Sequence, residues 1–89
     1  MNLKKNWVLK IDRDVYKDLL RFHKDYAKKI LSVIENLPSD PYFGDIKKMK
    51  GERYLWRRRI GSYRIFYDLY PDENLIHALW VERRTSKTY

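Results

Sequence analysis

Apolar residues recur every three or four positions through the first half of the chain and every two through much of the second, so the sequence passes from a helical to an extended rhythm near its middle. Ahead of the helical part, "WVLKI" (residues 7 to 11) is apolar enough for a strand, and Asp12 stands where an N-cap would start a helix. In "DVYKDLLRF" the positions Val15, Leu19 and Phe22 follow helical spacing, with Tyr16 and Leu20 widening the stripe. A second helix over about residues 24 to 37 is expected to bury Ala27, Ile30, Leu31, Ile34 and Leu37 and to turn Lys28, Lys29 and Glu35 to water. "LPSDPYFGD" holds two prolines and a glycine and must be a loop. "IKKMKG" is a basic approach segment with room for some extended structure. Three strands follow, over about 54 to 60, 63 to 69 and 75 to 82, the last two joined by the turn "YPDEN". No repeat or domain boundary interrupts residues 1–89. The order β-α-α-β-β-β predicts one α+β domain, a helical hairpin packed on one face of a mostly antiparallel four-stranded sheet.

The segment "WRRRIGSYRIFY" (residues 56 to 67) sets three arginines inside a predicted strand. Gly61-Ser62 is a two-residue loop with glycine first, which suits a type II′ hairpin turn and thereby sets the register. Ile60 then pairs with Tyr63, Arg59 with Arg64, Arg58 with Ile65, Arg57 with Phe66 and Trp56 with Tyr67. Alternation puts Trp56, Arg58, Ile60, Tyr63, Ile65 and Tyr67 on the helix-covered side, and Leu55, Arg57, Arg59, Arg64 and Phe66 on the other. Like charges directly opposite one another are destabilising by a few tenths to about 1 kcal/mol, a penalty that a bound anion removes. The plain alternative is a set of solvated arginines on an open sheet face. Arg58 falls among aromatics, where it must reach water at the sheet edge or find a carboxylate.

Charge sharpens this picture. Twenty Lys plus Arg against twelve Asp plus Glu give a formal net charge of +8, which favours a polyanionic partner: nucleic acid first, then an acidic protein or an anionic membrane. Cysteine is absent, which excludes disulfides, thiolate metal sites and thiol nucleophiles and makes a reducing cytoplasm the expected compartment. No apolar run approaches the roughly 20 residues of a membrane span, and "MNLKKNWVLK" lacks a signal-peptide apolar region, so a soluble, unexported protein is expected. His23 and His77 have no second ligand at metal spacing, and three glycines leave little room for a phosphate-cradling loop. Neither metal nor cofactor is expected. The C-terminal "LWVERRTSKTY" carries Arg83, Arg84, Lys87 and Tyr89 out of the last strand together, offering bidentate phosphate ligands and a ring for base stacking.

In combination these residues resemble the RelE/ParE toxins of type II toxin-antitoxin systems over nearly the whole chain. The resemblance rests on an early V-x-x-D-L (Val15, Asp18, Leu19), "ENLPSDP", "KKMKG" (Lys47 to Gly51), the set Arg57, Arg59, Gly61, Tyr63, Arg64 and Tyr67, and the terminal arginines before Tyr89. For a RelE-like member it implies a ribosome-dependent mRNA endonuclease working without metal, in which the ribose 2′-OH attacks the adjacent phosphate. By position Arg57, Arg59, Arg64, Arg83 and Tyr89 match the catalytic set, and Lys47, Lys48, Lys50, Arg84 and Lys87 would add RNA contacts. Well-known RelE-type members carry lysines at the two strand positions, and arginine, with a pKa above about 12, makes a poor base. Arg57 and Arg59 are therefore assigned to charge stabilisation, with Lys48, Lys50 or a ribosomal group left to act as base. The resemblance further implies a RelB-like antitoxin, acidic with an amphipathic helix, in a hetero-oligomer with the toxin, and the ribosome and mRNA as targets, with no membrane partner. Two alternatives stay open: a ParE-like inhibitor of DNA gyrase, and a toxin fold that binds RNA or the ribosome without cutting.

Overall fold

A computed structural model describes residues 6–84. Strand β1 (Val8–Ile11) leads into α1 (Arg13–Leu19) and α2 (Lys24–Glu35), followed by β2 (Ile46–Lys48), β3 (Leu55–Ile60), β4 (Tyr63–Tyr70) and β5 (Leu75–Arg83). Both helices begin on side-chain caps. Asp12 accepts from the Asp14 N–H at 2.9 Å, and His23, through Nδ1, accepts from the Asp25 N–H at 3.2 Å. The second helix stops at Glu35, short of the predicted residue 37. Pro38 has no N–H to offer a further helical turn, and Leu37–Ser39 forms a 3-10 turn instead.

The sheet runs in the order β1-β5-β4-β3-β2, with β1 parallel to β5 and every other pair antiparallel. It has five strands, not the four predicted. The additional one is β2, whose Ile46, Lys47 and Lys48 pair with Arg58, Arg57 and Trp56. Two of its three residues are lysines, so neither alternation nor propensity marks it; its neighbour β3 supplies the pairing. The β3–β4 hairpin has the predicted register at every position from Ile60–Tyr63 to Trp56–Tyr67. Gly61 takes φ +55° and Ser62 stays at negative φ, as a type II′ turn requires.

The core lies on one face of the sheet only. Val15 and Leu19 of α1, Ile30 and Ile34 of α2, and Leu37 pack on Ile65, Tyr67 and Leu69 of β4 and on Ile76, Ala78 and Val81 of β5. Each such side chain contributes roughly 1.5–3 kcal/mol relative to exposure. The Phe22 and Tyr26 rings close over Tyr63, at 4.8 and 5.6 Å between centroids. Tyr16 and Leu20 do not widen the core stripe as predicted. Leu20 is 86% exposed because α1 has ended before it, and with Tyr16, Ala27 and Leu31 it lines an apolar groove between the helices.

Strand β5 carries a β-bulge. Tyr67 pairs with Ala78 but Phe66 pairs with Trp80, which leaves Leu79 without a partner and reverses the facing of every later residue. Among the described residues no strand flanks β5 beyond Ala78 on the side away from β4, and α1 covers that edge instead. The Asp18 carboxylate accepts from the Val81 N–H at 2.9 Å and also holds Arg21 at 2.8 Å.

Arg58 does not take the carboxylate expected of it; the residue is half-buried and borders a surface groove shared with Val33, Asn36 and Phe43. Among the described residues no carboxylate lies within 4 Å of its guanidinium, which sits 5.5 Å from the Phe43 ring centroid and against Gly44. A Cβ at Gly44 would come within 2.7 Å of that guanidinium and make it shift, and the φ of +92° itself favours glycine there. Next to it the Tyr67 hydroxyl donates to the Pro41 carbonyl at 2.9 Å. Burial pushes the Tyr67 phenol up to about 12, with the Arg58 charge pulling the other way.

Candidate nucleic-acid interface

The face of the sheet turned away from the helices gathers cations from three strands. Arg57 and Arg59 project from β3, Arg64 from β4 opposite Arg59, and Lys47 from β2 opposite Arg57. Depth differs along the row: the Arg57 side chain is 13% exposed and that of Arg59 40%. The Nε atoms of Arg57 and Arg64 are buried without a hydrogen-bond partner, as is that of Arg58 on the helix side. Such unmet donors are costly unless a ligand supplies acceptors.

One carboxylate stands in this group. The oxygens of Asp45 lie 3.8 Å from Arg57 Nη2 and 3.8 Å from Arg59 Nε, too far for hydrogen bonds, while the Arg59 N–H donates to the Asp45 carbonyl at 2.9 Å. A charge pair at about 4 Å is worth only about 1 kcal/mol in bulk water, so one exposed carboxylate leaves three arginines in excess of negative charge. Glu82 is the β5 neighbour of Arg64, but its Oε2 accepts from the Trp80 indole N–H at 3.0 Å. Trp80 itself stacks on Phe66, with centroids 4.6 Å apart and planes inclined by 13°. The other end of the face is acidic and aromatic. There the Tyr70 hydroxyl donates to Asp68 at 2.9 Å, a bond that raises the Tyr70 pKa, and His77 Nε2 lies 3.6 Å from Asp12.

Of the residues singled out in the sequence, the structure brings together Lys47, Arg57, Arg59 and Arg64. Lys48 pairs with Trp56 and so has the facing of the helix side, and Lys50 sits in the turn after β2. Arg83 does not leave the sheet; it is the last residue of β5 and pairs with Tyr63. It therefore lies on the helix side, beside Tyr26 and Lys29, across the sheet from the arginine trio. Arg84 follows, its N–H donating to the Ser62 carbonyl. Lys87 and Tyr89 lie outside the described residues. Sequence reasoning passed over Asp45 and the Phe66–Trp80 pair. Asp45 in "FGDIKK" gains meaning only once β2 is known to pair with β3, and simple alternation along β5 puts Trp80 on the wrong side of the sheet because it takes no account of the bulge.

Fold and face together define a small basic two-layer α+β domain with an arginine-rich open sheet. The chain belongs to the ParE toxin family of type II toxin-antitoxin systems (parDE), whose family model matches residues 8–87, and it is a toxin of the RelE/ParE superfamily. A relative from Methanocaldococcus jannaschii that bears the name of toxin RelE1 is 33% identical over 79 residues, covering 85% of this chain and 88% of that protein. The archaeal RelE–RelB complex from Pyrococcus horikoshii OT3 matches with a TM-score of 0.76 and 25% identity over 93% of this chain and 100% of that one. The toxin-antitoxin complex RelBE2 from Mycobacterium tuberculosis shares the fold, with a TM-score of 0.77 at 17% identity over 90% of this chain and 100% of that one.

Proposed function

We propose that this toxin is a ribosome-dependent mRNA endonuclease that inhibits translation. The observation that carries the reading is the arginine trio: Arg57, Arg59 and Arg64 come from two strands onto one uncovered face, with two guanidinium N–H groups unmatched. RNA carries its own nucleophile. The 2′-oxygen forms a bond to the adjacent phosphorus as the bond to the 5′-oxygen breaks, giving a 2′,3′-cyclic phosphate and a free 5′-hydroxyl. One proton leaves the 2′-OH and one reaches the departing oxygen. Three guanidiniums holding the non-bridging oxygens would stabilise the charge that builds up between these events and align the backbone for in-line attack. Guanidiniums have donors and no acceptor, so both proton transfers fall to other groups. Lys47 is the lysine that shares their face and would add a phosphate contact, a part less suited to Lys48 and Lys50.

The test is to add purified protein to a translating system and map the mRNA. Cuts within A-site codons are expected, and Arg64→Ala should abolish them with the fold intact. Stalled translation over uncut mRNA would overturn the reading. Two observations favour a second one, a ParE-like gyrase inhibitor without catalysis: the name of the matching family, and the placement of Arg83 away from the trio. Inhibited supercoiling alongside intact mRNA selects it.

The partner that would restrain the toxin is an acidic antitoxin with an amphipathic helix. Relatives of this fold have been solved with RelB antitoxins. The groove between α1 and α2, apolar along Tyr16, Leu20, Ala27 and Leu31 and bordered by Lys24 and Lys28, has the chemistry to take such a helix. Binding measured against salt should weaken as salt rises, and Leu20→Asp should lower the affinity at every salt concentration.

A further inference from the structure

Phe66 is an anomaly of the open face. It is only 7% exposed, yet it points away from the helices and takes no part in the core cluster. Its own neighbours enclose it: Arg57 on β3 is its cross-strand partner on one side and Trp80 on β5 on the other. Arg57, Phe66 and Trp80 thus stand in a row across three strands, the two rings nearly parallel at 4.6 Å. The row ends at Trp80, because β1 stops pairing with β5 at Ala78 and, among the described residues, no strand lies beyond. Trp80 instead borders a groove along the strand edge that is shared with Asp14, Asp18, Arg21 and Glu82. The indole is locked in this orientation by its N–H bond to Glu82 at 3.0 Å.

We infer that Trp80, backed by Phe66, is a nucleobase-stacking platform, taking on its outer face a base of the same RNA strand whose phosphate Arg57, Arg59 and Arg64 hold. The inference rests on the reading of that face as an RNA site and adds to it the element that binds bases. Spacing supports it: adjacent strands lie about 4.8 Å apart and two residues along a strand span about 7 Å, so the platform is about one nucleotide from the trio. An aromatic surface beside a cationic track is the combination that holds single-stranded nucleic acid. The groove gives the platform a preference. Asp18 is committed to Arg21 and the Val81 N–H, but Asp14 and the second oxygen of Glu82 remain as acceptors for an exocyclic amino group, which adenine, cytosine and guanine have and uracil lacks.

The chain has three tryptophans, so Trp7→Phe with Trp56→Phe leaves Trp80 as the only indole reporter. This protein is titrated with tetraadenylate, tetrauridylate and an abasic chain carrying the same phosphates. Tetraadenylate should quench Trp80 at saturation and bind several-fold more tightly than tetrauridylate, whereas the abasic chain should bind without quenching. Trp80→Leu, with its fold checked by circular dichroism, should lower tetraadenylate affinity about tenfold, to that of the abasic chain. Equal binding of tetraadenylate and the abasic chain, or binding that leaves Trp80 fluorescence unchanged, overturns the platform. Quenching by tetraadenylate without mRNA cleavage overturns the nuclease alone; cleavage without quenching overturns the platform alone.

Discussion

Arg58 and Arg59 are neighbours in the chain and belong to opposite faces of one strand, and their surroundings show what each face is for. On the helix side the structure goes to some length to seat one guanidinium: a ring 5.5 Å away, a glycine at φ +92° and a hydroxyl bonded to a buried carbonyl all lie around it. On the open side three guanidiniums and a lysine gather around a single exposed carboxylate, and two buried N–H groups have no acceptor. Neither environment meets every donor, since the Arg58 Nε is also buried without an acceptor. The difference lies in charge: on the helix side one cation sits beside a ring, whereas on the open side three arginines and a lysine outnumber Asp45 and Glu82, an excess that an added anion would offset.

The comparison can be broken most sharply by exchanging losses. Arg57→Ala or Arg59→Ala should reduce mRNA cleavage by about a hundredfold or more while leaving the melting temperature nearly unchanged; Arg58→Ala should do the reverse. A trio variant that melts early with cleavage intact would erase the distinction. Next in size, Gly44→Ala should cost about 2 kcal/mol, from left-handed backbone strain and the collision with Arg58, and lower the melting temperature by about 10 °C. Arg58→Ala in that background should restore part of the loss, and calorimetry of the four proteins gives the coupling.

Tyr67→Phe removes the buried bond to Pro41 and should cost about 1–2 kcal/mol with cleavage retained. Its pH dependence has a definite sign. The folded phenol is raised to about 12 from 10, so the unfolded chain loses that proton first, and the stability this group contributes is present below pH 10 and lost as pH climbs towards 12. Urea titrations across that window should therefore show a shallower decline for Tyr67→Phe than for the parent. The smallest effect belongs to Asp45→Asn: a short RNA should bind a few-fold more tightly at low salt, an advantage that fades as salt rises.

The hairpin was readable in the sequence because glycine in the first loop position selects one turn type, and the turn type sets every pair behind it. The same logic sorted the arginines correctly before any coordinates. It failed where pairing depends on a neighbour rather than on the segment itself, as in β2, whose lysines carry no strand signal. It failed again at Tyr16 and Leu20, since helical spacing says which residues share a side but not how wide a stripe the sheet covers. Asp45 and Trp80 were out of reach for related reasons: one needed the β2–β3 register, the other the unpaired Leu79.

That single unpaired residue makes two surfaces mutually exclusive. With Leu79 present, Trp80 and Glu82 belong to the open face and Val81 and Arg83 to the helix side. Deleting it would leave all four as they are, since Trp80 would then follow Ala78 directly in the ladder; pairing Leu79 itself with Phe66 would reverse them, so this sheet can offer its open face the indole or the terminal arginine, never both. A chain of this design can thus exchange a stacking surface for a further cation by drawing the bulged residue into the ladder of one strand, without disturbing the hairpin that holds the other three arginines.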